Sequence, residues 1–351
     1  MALAALLGQF DFSRSALPIA VVRSVPPSMV SATSGVLLVD HLNMNHEAGR
    51  HDLVKGFYFE LLGLAIDPRK ADNLDKGRKG LWANAGIHQF HLSEGTTAQV
   101  FDGVITLAYA SLGAVRARLA SPPAALAGSK FAWTEAGGGS LAVMDPWGSS
   151  FRLIEDASAS DLRGVQPGAS SEPLGLTDLL IHVPRHARRL DPLEGIVRFY
   201  CRVLHCEAEL IGPMATVYIG GGQTLSFAYR PDGETVAHEE LGVDEEGASL
   251  NNGAHVSMYV TDLPAAYRAA ASLGVTYVNH RFSRRAYSLD EAVEQCMFRI
   301  LDVVDPDAPD DGPILRLEHE VRACITGDGH GYKKYKSCPF RGARNLPDAC
   351  S

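Results

Sequence analysis

The side chains best suited to chemistry in this chain are imidazoles and carboxylates at the ends of short apolar runs. His41 sits near the start of Val39-Asp40-His41-Leu42-Asn43-Met44-Asn45, and His255 opens His255-Val256-Ser257-Met258-Tyr259-Val260. Asp178 and His182 share the run Thr177-Asp178-Leu179-Leu180-Ile181-His182-Val183. Gln89 and His91 stand two residues apart, and Glu318 ends Ile314-Leu315-Arg316-Leu317-Glu318. Two neutral imidazoles and one carboxylate can hold Fe(II), Mn, Zn or Ni and leave positions open. Arginine cannot do this, because it stays charged. A buried Arg152 or Arg316 therefore needs a carboxylate partner or an anionic ligand.

Each of these residues also has a plainer role. A histidine at a strand start can simply donate within the sheet. Gln89 and His91 suit a cross-strand polar ladder, and Glu318 can pair with Arg316 or Arg322. Trp82, Trp133 and Trp147 read as core or rim residues. Gly220-Gly221-Gly222 precedes a strand and lacks the spacing of a nucleotide loop.

The elements that must position these residues come as a repeat. The first copy runs from a strand at 36–45, through a helix at 50–63 carrying Phe57-Tyr58, to Asp145-Pro146-Trp147-Gly148 and Phe151-Arg152-Leu153-Ile154-Glu155. The second begins at 178–183, continues through a helix at 192–204 carrying Phe199-Tyr200, and closes at Asp305-Pro306-Asp307 and the run ending in Glu318. Apolar periodicity adds strands at 81–85, 89–92, 104–109, 131–134, 141–144 and 151–155, with a helix at 112–119. Further strands are expected at 215–219, 224–229, 255–260, 275–279, 297–303 and 314–321, with a helix at 263–273. This is an α+β chain of four βαβββ units in two consecutive pairs, residues 36–156 and 176–322. A Ser-, Gly- and Pro-rich linker at 157–175 separates them.

The bulk composition bounds the partners. With 351 residues and a net charge of −9, nucleic acid is excluded as the main partner, because phosphate binding needs a basic face. No apolar run reaches the roughly 18 residues of a membrane span. Six scattered cysteines form no framework, so reduced thiols in the cytoplasm are expected. Cys324, Cys338, Cys350 and His330 are too loosely spaced for a zinc finger. Residues 1–34 carry Arg14 and Arg23 with a single acid, Asp11, which leaves a chloroplast or mitochondrial transit segment as the alternative to a plain extension. Residues 323–351 read as an irregular tail.

The repeat resembles the vicinal oxygen chelate superfamily, which includes glyoxalase I, bleomycin-resistance proteins and extradiol dioxygenases. The resemblance rests on Asp40-His41 at a strand start, Phe57-Tyr58 with Leu62-Gly63, Asp145-Pro146-Trp147-Gly148, and His255 through Leu263. It implies two half-barrel cups, a divalent metal (Fe, Mn, Zn or Ni), and a small-molecule ligand whose neighbouring oxygens chelate that metal. It leaves a homodimer open.

The family positions are only partly filled. In the first pair His41 fits, Val104 stands where a histidine is implied, and Arg152 stands where a glutamate is implied. Glu155 points to the opposite face. His41, Gln89 and His91 form an improvised set. In the second pair Asp178 replaces the first histidine, His255 is in place, and Arg316 holds the strict glutamate position. Glu318, two residues on, completes a set with His255 and either Asp178 or His182 if the turn at Asp310–Gly312 is long. The leading expectation is a metal-dependent glyoxalase- or dioxygenase-like protein with its site in the C-terminal pair. A metal-free protein binding an anionic or aromatic ligand is the alternative, and a structural partner in an assembly is a third.

Overall fold

The computed structural model describes residues 35–77, 80–156, 171–185, 189–230 and 254–323. The N-terminal extension, the acidic loop at 239–246, most of the linker and the C-terminal tail lie outside the described residues.

Each of the four units contributes four strands. The first supplies β1 (Val36–Glu47), β2 (Ala65–Ile66), β3 (Leu81–Ala85) and β4 (His88–Gly95). The second supplies β5 (Gly103–Tyr109), β6 (Ala132–Glu135), β7 (Leu141–Met144) and β8 (Ser150–Glu155). The third supplies β9 (Pro173–Val183), β10 (Glu207–Ile211), β11 (Met214–Tyr218) and β12 (Thr224–Tyr229). The fourth supplies β13 (His255–Val260), β14 (Thr276–Tyr277), β15 (Met297–Val304) and β16 (Pro313–Ala323). The expected α+β class and βαβββ order are present. The sequence reading did not anticipate β2, β10 or the helices at Ala71–Asp75 and Leu289–Gln295.

The sheets do not pair the units in chain order. One eight-stranded sheet runs β14-β15-β16-β13-β1-β4-β3-β2, and the other runs β10-β11-β12-β9-β5-β8-β7-β6. The first unit therefore shares a sheet with the fourth, and the second with the third. This corrects the expected grouping of 36–156 and 176–322. The physical reason is that every unit presents its first strand as a free edge with the same alternation. That pattern says that first strands pair, but not which ones. Here β1 runs antiparallel to β13, and β5 antiparallel to β9. β9 also begins at Pro173, inside the expected linker, because its early residues extend the ladder to Tyr109.

The repeated Phe-Tyr pairs are the core. The first unit's helix begins as α-helix at His51–Val54 and continues with π-helical geometry over Lys55–Leu61. Its Tyr58 ring lies 5.6 Å from Phe90 of β4, and Phe57 lies 5.4 Å from Phe151 of β8. The helix is thus packed between the two sheets. The helix at Pro192–Val203, capped by Asp191, repeats the arrangement. Tyr200 stacks toward Phe227 of β12, and its hydroxyl bonds Nε2 of His319 in β16 at 2.7 Å. Helices on one face of each sheet leave the opposite face as a cup.

Candidate metal centre

Strand register places a row of side chains across the first cup. Gln89, His41, Ser257, Glu320 and Arg299 stand side by side on β4, β1, β13, β16 and β15. His255 lies two residues before Ser257, on the same face. The Nε2 atoms of His41 and His255 are 3.2 Å apart, and His255 Nε2 is 3.4 Å from Glu320 Oε2. His41, His255 and Glu320 offer ligand atoms that all lie within 4.8 Å of one another. All three residues are buried.

The surroundings set the state of each group. Nδ1 of His41 is 2.8 Å from the Asp40 carboxylate, which fixes Nε2 as the lone-pair atom. The His91 ring stacks on His41 at 3.6 Å, and Trp82 stacks on His91 at 4.5 Å. Burial, followed by the positive charge of Arg322, holds the His41 imidazole well below its ordinary pKa. Burial, then His41, does the same to His91. Both rings are therefore neutral at pH 7 and able to ligate. For Glu320, burial pushes the pKa up, but Arg322 and Arg299 outweigh it and hold the carboxylate well below its ordinary range. Arg299 bridges Glu318 and Glu320 from one buried position. Phe282 lies over the site, with its ring 5.4 Å from His255 and 4.1 Å from the Arg299 guanidinium.

The residues expected from the sequence are thus redistributed. His41 and His255, assigned to different domains, share one cup. Glu318 is occupied by Arg299 and by Asn279 Nδ2 at 2.8 Å. Asp178 and His182 are not near His255 at all: they lie on β9 in the other sheet. His182 Nδ1 bonds Asp102 at 2.7 Å, and Asp102 also takes Arg230. Gln89 is committed to Asp67 and Asn84, each at 2.7 Å, and His91 bonds Gln89 Oε1 at 3.2 Å. Neither supplies an atom to the triad. Arg316 pairs with Asp302 near the surface and does not line the cup row.

Glu320 is the residue missed. The turn-to-ligand spacing was set at four residues by Gly148 and Arg152, but β16 is longer than β8 and its pairing with β15 is shifted between Ile300 and Asp302. Glu320 on β16 thereby takes the place that Arg152 holds on β8. The available signal was the alternation Arg316, Glu318, Glu320, which puts all three on one face.

The second cup shows the same row with different chemistry: Thr224, Asp178, Thr106 and Arg152 across β12, β9, β5 and β8. Val104 stands where His255 stands. Asp178 Oδ1 accepts from Thr224 at 2.6 Å and Ser226 at 2.8 Å. Burial lifts its pKa to about 6, with Thr224, Ser226 and Arg152 opposing. A raised carboxyl pKa stabilises the fold at low pH, and that contribution is lost as pH rises from about 4 through about 6. Asp178→Asn keeps the neutral form at every pH. It is expected to gain about 1–2 kcal/mol over wild type at pH 7 and nothing at pH 4, read from urea midpoints at both pH values; this allows for screening by partial solvent contact.

Four βαβββ units in two mixed eight-stranded sheets give the α+β architecture of paired half-barrels that the resemblance to the vicinal oxygen chelate superfamily implied. Among solved structures, the chain is similar to a candidate dioxygenase from Bacillus subtilis, with 15% identity over 85% of this chain and 88% of that one and a TM-score of 0.48. It is similar to glyoxalase I from Zea mays, with 16% identity over 82% and 92% of the chains and a TM-score of 0.45. A 2,2',3-trihydroxybiphenyl 1,2-dioxygenase from Sphingomonas wittichii matches at 12% identity over 82% and 90%, with a TM-score of 0.28. No family model and no curated protein matches the sequence. No helix among the described residues is long and apolar enough to cross a membrane.

Proposed function

We propose that the protein is a metal-dependent enzyme acting on a small oxygenated substrate at His41, His255 and Glu320. The observation that carries this reading is the spacing of the three donors. Atoms 3.2 and 3.4 Å apart are neighbouring corners of a coordination sphere with a radius of about 2.1 Å. Two imidazoles and a carboxylate fit Fe(II), Mn, Zn or Ni and leave positions for two substrate oxygens. A bound ion would act as a Lewis acid on such oxygens or activate dioxygen.

The chain's own residues prepare that site. Asp40 holds the His41 tautomer, and the His91–Trp82 stack fixes the ring plane. Arg299 and Arg322 keep Glu320 ionised. Ser257 lies between His41 and Glu320, is fully buried, and its hydroxyl has no hydrogen-bond partner among the described residues. It is placed to bond a substrate oxygen. Phe282 packs against His255 and Arg299 and supplies an apolar wall beside the centre.

A second reading is favoured by the two guanidiniums on Glu320. They satisfy the carboxylate without a metal, and 3.2 Å is also a hydrogen bond between neutral imidazoles. In that reading the cup binds a small anionic ligand. Metal analysis separates the two. Purified protein is expected to hold about one equivalent of Fe, Mn, Zn or Ni, lost in His255→Ala. A folded wild-type protein that takes up none of these ions on titration sinks the enzyme reading.

A further inference from the structure

A second constellation lies on the other face of the same strands. His46 and Glu94 are register partners on β1 and β4. Five residues separate His41 from His46, so alternation turns His46 away from the cup, about 17 Å along the strand. His51, at the start of the first unit's helix, closes the group. Its ring is 5.5 Å from that of His46, and its Nδ1 is 3.4 Å from Glu94 Oε1. His46, His51 and Glu94 offer ligand atoms that all lie within 4.8 Å of one another.

His46 is the unexplained member. It is 1% exposed, yet neither ring nitrogen has a hydrogen-bond partner among the described residues. Burying an imidazole unsatisfied costs about 1–3 kcal/mol. An imidazole carries at most one N–H when neutral, so at least one of its nitrogens holds a lone pair that no described donor meets. Glu94 and His51 keep 8% and 14% of their side chains exposed, which leaves a path from solvent. Gly49 N–H donates to Glu94 Oε1 at 3.3 Å and steadies that carboxylate. The donor set is again two imidazoles and a carboxylate, suited to a borderline divalent ion such as zinc.

We infer that His46, His51 and Glu94 form a second divalent-metal site, separate from the cup, which ties β1, β4 and the first helix together. The ion would take up the His46 lone pair that the fold leaves unused.

The test is a zinc titration against a chromophoric chelator, using the full chain. His41→Ala with His255→Ala silences the cup. That double variant is expected to retain one zinc equivalent, weakened at least about 100-fold by His46→Ala. Glu94→Gln and His51→Gln, at partly exposed positions less demanding on the fold, are expected to weaken it likewise. Trp147 lies 6.1 Å from His46, so Co(II) in place of zinc is expected to quench its fluorescence in the double variant, an effect removed by Trp147→Phe. The inference is overturned if the folded double variant binds no zinc, or if Glu94→Gln and His51→Gln bind as tightly as their parent. Should the double variant fail to fold, wild type and Glu94→Gln are compared directly. A loss of one equivalent supports the site, and equal stoichiometry overturns it.

Discussion

Replacing Arg299 with methionine is expected to destabilise the protein by about 3–5 kcal/mol at pH 7, read from the urea midpoint. Arg299 is 4% exposed and bridges Glu318 and Glu320, which are equally buried. Without it, Glu318 keeps Asn279 and Glu320 keeps Arg322, but one negative charge is left without compensation in a dry site. The pH dependence follows from direction. In wild type the Glu320 pKa lies below its unfolded value, so its contribution is full above about pH 4.5 and falls away as pH drops through that range. In the variant, Glu320 loses the Arg299 charge that opposes its burial, so its carboxyl binds a proton more readily than in wild type. The deficit relative to wild type therefore shrinks on acidification. The two curves are widest apart above pH 5 and close toward pH 4. Arg316→Met, which removes a pair with Asp302 at 35–38% side-chain exposure, is the control and is expected to cost under about 1 kcal/mol. Equal effects from the two substitutions would contradict this account.

Glu320→Gln is expected to lower divalent-metal affinity at least about 100-fold, whereas Glu318→Gln changes it less than about 10-fold. The two glutamates stand two residues apart on one strand face, yet only Glu320 reaches the imidazoles. Glu318 is held away by Arg299 and Asn279. Titration with a chromophoric chelator measures both variants, and near-UV circular dichroism checks that the cup is intact. A larger loss from Glu318→Gln would return the ligand role to that residue and move the centre deeper toward Asn279.

The repeat, the class of fold and nearly every strand were legible in the sequence because each rests on local alternation. The positions of His41 and His255 were legible for the same reason. Their meeting was not. Alternation marks β1 and β13 as edges that seek a partner, but any first strand satisfies the same pattern. Glu320 was hidden by geometry of another kind. The shifted pairing of β15 with β16 lengthens the path from the turn at Gly312 to the cup, so a spacing taken from β8 stops short at Arg316. His46, His51 and Glu94 left no readable mark, since their proximity depends on how the first helix seats on the sheet. The loss of a triad in the second cup was the clearest signal of all: Val104 and Arg152 cannot ligate a metal in any register.

The partnership of the outermost units has a bearing on how the chain is made. The inner sheet of the second and third units can close once residue 229 has left the ribosome. The outer sheet cannot, because β1 must wait for β13 and β16. At about 5–20 residues per second, His41 spends on the order of ten seconds or more without its companions. A chain cut short anywhere before Glu320 can still pair the strands of the second and third units, but it lacks one of the three donors of the first cup. Completion of the first cup therefore waits on β16, which must return to the sheet that β1 began.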